Sequence, residues 1–193
     1  MRSAGFQPAA PPPSRRHGRG PAFTRALLSP CNNKNVKPAV YVENSVVSYL
    51  TARRTRGSLR VAAHQDLTRE WWDTRRQAFE LFGSAVVVEE AQDGDPDAAA
   101  ARLEVVRQLT MLEVTQEARD LAATLLRETR LPAKANADAL HIATAAVHGM
   151  DYLITWNCKH IANAVILRSV EAVCRANGYE PPVICTPEEL MEG

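Results

Sequence analysis

From Pro38 onward, short runs of β-branched and aromatic residues alternate with longer stretches of helical period, and that alternation leaves few folds open. The β-type runs are 39–42 (Ala-Val-Tyr-Val), 85–88, 111–114, 152–154 and 183–185. Helices are expected at about 45–53, 60–82, 96–108, 116–129, 136–148 and 160–177. Strands this short and apolar suit central positions covered on both faces, and strands separated by helices pair in parallel. The expected fold class is α/β: three layers, with a central parallel sheet of about five short strands flanked by helices. Local punctuation agrees. Asp95-Pro96-Asp97 supplies an N-cap, a proline for the first helical position and an acid facing the helix dipole. Thr186 to Glu189 has capping-box spacing, and Gly149 and Gly178 sit where helices should end.

A chain of 193 residues is enough for one domain with a sizeable core. The net charge of +1 conceals an asymmetry. Residues 1–37 hold seven Arg or Lys and no acid, so sixteen basic and twenty-two acidic residues remain in 38–193. The first segment also holds six of the twelve prolines and no sustained period, which predicts a disordered tail or a non-native extension from an upstream start. A basic arm or a targeting segment are the other readings, but Pro11-Pro12-Pro13 and Arg15-Arg16 interrupt any secretory apolar stretch. No run is long enough to cross a bilayer, so a soluble protein with no membrane association is expected. Cys31, Cys158, Cys174 and Cys185 form no C-x-x-C pair and no zinc spacing, which points to reduced thiols in a cytoplasmic protein.

The chemistry sits at the strand ends. Glu43 follows the first apolar run, Glu89 and Glu90 follow the second, and Asn157 follows Leu153-Ile154-Thr155-Trp156. The carboxyl ends of parallel strands form a common crevice, so these side chains are expected to converge, with Asp138 joining from the first turn of a neighbouring helix. Carboxylates gathered in this way repel one another unless a cation sits among them. Hard oxygen donors select Mg²⁺ or Mn²⁺, which suits phosphodiester hydrolysis by an activated water. Each acid also has a plainer role available: Glu43 as a helix cap, Asp138 as a dipole partner, and one of Glu89 and Glu90 as a solvated neighbour. No glycine-rich phosphate loop is present, so the usual nucleotide sites have no support.

In YVENSVVSYL and ADALHIATAAVHGMDYLITWNCKHIANA, over roughly 38–192, the chain resembles the PIN-domain ribonucleases, in particular the VapC-type toxins of toxin–antitoxin systems. The resemblance implies a PIN-like nuclease domain at 38–193 and a metal-dependent endoribonuclease. The positions matching the family's acids are Glu43, Glu90, Asp138 and Asn157, which would be metal ligands and catalytic residues, with Ser45 orienting water or metal. It further implies an RNA substrate, a cognate antitoxin protein and a homodimer. Three departures stand out: Glu43 replaces the commoner Asp, Asn44 stands where Thr is usual, and Asn157 replaces an ionisable acid.

His141, three residues after Asp138, is expected to be a packed histidine, while Lys159, His160 and Asn163 are candidates for RNA phosphate contact. Since the domain is acidic, RNA binding needs a local patch, for which Arg53, Arg54, Arg56 and Arg60 are the candidates. Two other functions fit the same residues. One is a catalytically weak PIN-like binding or regulatory protein docking a partner near Trp71-Trp72, because adjacent indoles cannot both lie at the centre of one helical stripe. The other is a metal-dependent phosphohydrolase acting on a different phosphodiester.

Overall fold

Ala39, Val40, Tyr41 and Val42 form β1 (Ala39–Val42), with all four side chains buried, as a central strand covered on both faces requires. The computed structural model describes residues 36–55 and 57–191. Apart from Val36 and Lys37, the 1–37 tail therefore lies outside the described residues, as do Cys31 and Arg56. The other strands are β2 (Glu80–Ser84), β3 (Thr110–Leu112), β4 (Tyr152–Ile154) and β5 (Val183–Cys185), in the order β3-β2-β1-β4-β5. All four pairings are parallel, with Tyr41 opposite Phe82 on one side and Leu153 on the other.

The helices are α1 (Asn44–Thr51), α2 (Leu59–Thr74), α3 (Ala85–Gln92), α4 (Pro96–Val106), α5 (Gln116–Glu128), α6 (Asn136–Val147) and α7 (Ala164–Ala176). The chain steps from β1 to β2 to β3 in one direction, then crosses back over β1 to β4 and β5. Right-handed crossovers put α1 to α4 on one face and α5 to α7 on the other. The packing agrees: α1 contacts α2, α3 and α4, and α5 contacts α6 and α7. The expected three-layer sheet of five parallel strands is thus observed. Gly149 and Gly178 end α6 and α7 with φ of +64° and +85°, conformations that favour glycine. None of the described helices is long and apolar enough to cross a membrane.

The second strand differs from expectation. Val86-Val87-Val88 belongs to α3, and the strand is the preceding Glu80–Ser84, taken from what the sequence suggests is the end of a helix over 60–82. A short apolar run carries no period that separates a buried strand from a buried helix turn. Here Val86, Val87 and Ala91 are buried while Ala85 and Glu89 are exposed, the spacing of one helical face. The preceding helix stops at Thr74 because the chain turns back through Arg76–Ala78, stacks Phe79 on Trp71 at 5.8 Å and donates the Glu80 N–H to the Pro38 carbonyl. The β3 strand lies one or two residues earlier than expected. Helix α7 begins at Ala164 rather than 160, where the Asn163 side chain accepts the Val165 N–H.

Trp71 and Trp72 are both buried, at 0% and 6% exposure, so neither presents an exposed indole for the partner docking of the alternative reading. Trp71 lies in the core, and Trp72 is covered by the Arg76 guanidinium at 4.8 Å. The core wraps around the end of α2, which lets two neighbouring indoles be buried together. Trp71→Ala should cost about 3–5 kcal/mol in urea denaturation, whereas Leu59→Ala, at a side chain 92% exposed, should stay within about 0.5 kcal/mol.

Candidate functional site

Reversal of the chain direction at β1 creates a switch point between β1 and β4, and a crevice opens outside their carboxyl ends. Glu43 follows β1 there, its N–H bonded to the Ile154 carbonyl across the pair. Thr155, Trp156 and Asn157 follow β4. Helix α3 starts directly from β2 and carries Glu90 on its second turn, and α6 carries Asp138 on its first. Glu43, Ser45, Glu90, Asp138 and Asn157 all line one cavity of about 510 Å³, together with Asn44, Tyr49 and Gln65. All five predicted site residues therefore share one cavity, although Glu90 reaches it from a helix rather than from a strand end. Glu89 is exposed and does not line the cavity.

Glu43 is only 5% exposed. Its Oε1 accepts the Ser45 N–H at 3.0 Å, and its Oε2 accepts the Thr155 hydroxyl at 2.7 Å and the Ser45 hydroxyl. Glu43 therefore does cap α1, as the plainer reading expects, while facing the cavity. The Trp156 N–H donates to the Ser45 Oγ and the Asn157 N–H to the Thr155 Oγ1, both at 2.8 Å, so the two loops are tied together through hydroxyls. Trp156 is anchored on α2, where its indole N–H donates to the Thr68 hydroxyl at 2.7 Å and its ring stacks on His64 at 4.0 Å. Burial and the nearby Arg60 hold the His64 imidazole below its ordinary pKa, which favours the neutral ring in that stack.

Asp138 is held from two directions. The Asn157 amide donates to its Oδ1 and the His160 ring to its Oδ2, each at 2.8 Å, while the His160 N–H returns to the Asn157 Oδ1 at 3.1 Å. The amide at 157 thus supplies a donor that a carboxylate could not. His160, considered above for phosphate contact, is bonded to Asp138. His141 is fully buried, bonded to Glu90 through Nε2 and to Tyr41 through Nδ1. Burial holds the Tyr41 phenol well above its ordinary pKa, and the charges of Glu43 and Glu90 add to that shift, so Tyr41 keeps its proton.

Ligand atoms of Glu43, Glu90 and His141 lie within 4.8 Å of one another; Asp138 faces the same cavity but is outside that trio. Among the described residues no Lys or Arg pairs with Glu43, Glu90 or Asp138. Two carboxylates at that separation repel by about 3 kcal/mol at an effective dielectric of 20, more than a surface ion pair returns. A divalent cation fits this set of two carboxylates and an imidazole, with Asp138 beside them and no thiolate. Coordination capacity remains at Glu43 Oε1, which accepts one bond, and at Glu90 Oε1, which accepts none among the described residues.

No family model matches the sequence, and no curated protein matches it. Among solved structures, the chain is similar to the crystal structure of VapC20 from Mycobacterium tuberculosis, a sarcin–ricin loop cleaving toxin. The TM-score is 0.50 at 16% identity, covering 67% of this chain and 97% of that one. The fold is the three-layer α/β, PIN-like fold of that structure. A second similar structure, VapBC2 from Rickettsia felis bound to a promoter DNA fragment, has a TM-score of 0.46 at 15% identity, covering 63% of this chain and 89% of that one.

Within this PIN fold, Thr155, Tyr41 and Ser84 hold the site together, and the residue-level reading of the sequence did not single them out. A threonine two residues before Asn157 was the one available signal. Thr155→Val keeps the shape but removes both the donor to Glu43 and the acceptor for the Asn157 N–H. It should lower stability by about 1–3 kcal/mol in urea denaturation, because Thr155 is fully buried and both bonds are lost without replacement by water.

Proposed function

We propose that the protein is a metal-dependent endoribonuclease, the toxin of a toxin–antitoxin pair. The observation that carries this reading is the convergence of Glu43, Glu90 and Asp138 on one cavity, with no Lys or Arg paired to them among the described residues, in a chain with the VapC-type PIN fold. In this reading Glu43 and Glu90 hold Mg²⁺ or Mn²⁺ with Asp138 beside them, Asn157 orients Asp138, and Ser45 fixes the Glu43 carboxylate. When bound, the cation would supply the activation of water and the charge neutralisation that phosphodiester hydrolysis needs.

The chain's own residues contribute positioning and proton handling. Ser45 and Thr155 hold Glu43 in one rotamer with its Oε1 retaining a free acceptor site. Asp138, fixed between Asn157 and His160, is oriented to accept a proton from a water in the cavity. Cleavage by water needs no covalent intermediate. A small antitoxin that covers the cavity would restrain the activity. The free thiols Cys158, Cys174 and Cys185 suit a cytoplasmic setting.

Substrate affinity in an acidic domain requires local cations. Arg53 and Arg60 are exposed on either side of the turn into α2, beside the cavity residues Ala52 and Val61, and neither is in an ion pair among the described residues. Arg54 is instead committed to Asp66. Two expectations follow from this reading. Asp138→Asn should abolish Mn²⁺-dependent cleavage of RNA in a purified preparation while leaving the circular dichroism spectrum unchanged; retained cleavage would refute the assignment. Arg53→Ala and Arg60→Ala should each reduce the slope of log affinity against log salt for single-stranded RNA by roughly 0.7, as loss of one phosphate contact does.

A further inference from the structure

Three buried side chains from three elements form one hydrogen-bonded line that ends on the half-buried Glu90. Ser84 Oγ, at the end of β2, lies 2.6 Å from Tyr41 Oη on β1. Tyr41 Oη lies 2.8 Å from His141 Nδ1 on α6, and His141 Nε2 lies 3.0 Å from Glu90 Oε2 on α3. Ser84, Tyr41 and His141 are each 0% exposed. Such a line, buried and with both imidazole nitrogens engaged, does more than fill space. It gives the neutral His141 ring one of two defined states.

The two states run in opposite directions. If Nε2 carries the proton it donates to Glu90, Nδ1 accepts the Tyr41 O–H, and Tyr41 Oη accepts the Ser84 O–H. If Nδ1 carries the proton, Tyr41 accepts it and donates onward to Ser84, and the bare Nε2 lone pair faces a carboxylate oxygen at 3.0 Å. A carboxylate accepts and does not donate, so the second state sets two acceptors against each other unless a cation lies between them. The first state satisfies every polar atom in the line.

We propose that His141 is a positioning residue, its Nε2–H held on Glu90 by Tyr41 and Ser84, and is not a ligand of the divalent cation. This rests on the nuclease reading above for the role of Glu90. Glu90 has three rotatable side-chain bonds on a short helix. Fixing its Oε2 on His141 orders the carboxylate before a cation arrives and leaves Oε1 as the free ligand atom. The proximity of His141 Nε2 to Glu43 and Glu90 is then the spacing of a supporting shell, and a set of carboxylates alone is left to meet the ion.

The tautomer is directly measurable. Long-range ¹⁵N–¹H correlation on the full chain, with the His141 signal assigned from His141→Gln, should find Nε2 protonated and Nδ1 bare, unchanged at saturating Mg²⁺. An Nδ1–H tautomer, or a switch to it when Mg²⁺ is added, would overturn the proposal and make His141 a ligand. Calorimetric Mn²⁺ titration should give about 10- to 100-fold weaker binding for His141→Leu. His141→Gln, which offers an amide donor to Glu90, should recover part of that loss. Folded His141→Leu with wild-type Mn²⁺ affinity would also refute it, and if that variant does not fold, the wild-type spectra decide. Wild-type protein that binds no Mn²⁺ would overturn the nuclease reading and this inference with it, whereas an Nδ1–H tautomer alongside intact Mn²⁺ binding overturns this inference alone.

Discussion

Glu43 lies at the carboxyl end of a central strand with its carboxylate almost out of water, and a charge in that position must be met by donors or cations. The site is organised around that requirement. Ser45 and Thr155 supply hydroxyls and the Ser45 backbone supplies an N–H, each a bond to a charged acceptor and therefore worth more than a neutral one. Because Thr155 and Ser45 also receive the backbone N–H groups of Asn157 and Trp156, the same bonds fix the loop after β4. Asn157 in turn holds Asp138. The order of one carboxylate thus propagates through hydroxyls to a second on a different helix.

Glu90 reaches the cavity by another route, through the buried line of His141, Tyr41 and Ser84. The two networks meet at β1, which carries Tyr41 and is followed directly by Glu43. Among the described residues, the donors aimed at Glu43 and Glu90 are uncharged groups or an imidazole, with no Lys or Arg. Such a cluster is costly for stability alone, since burying like charges together returns nothing to the fold. In the reading proposed above, a divalent cation offsets that cost.

Much of this was legible in the sequence, for reasons particular to each residue. Glu43 and Asn157 were readable because each follows a short apolar strand, and strand ends are well marked where strands are fully buried. Asp138 was readable from its place at the head of a helix. The second strand was misplaced because Val86-Val87-Val88 has no period, and only the pairing of Glu80 to Phe82 with Ala39 to Tyr41 settles which segment enters the sheet. The fates of Trp71 and Trp72 were equally hidden, since whether two adjacent indoles can both be buried depends on how far the core wraps around α2.

By itself, the sequence determined the fold class, the alternation of strands and helices from Pro38 onward, and the set of polar groups available at the strand ends. These follow from hydrophobic period and chain punctuation, which are local properties. Only the tertiary structure decided that Glu90 rather than Glu89 faces the cavity, that His141 is bonded to Glu90, and that Asn157 is spent on Asp138. Those are distances between residues between 19 and 51 positions apart, set by strand order and helix packing, and no local pattern encodes them.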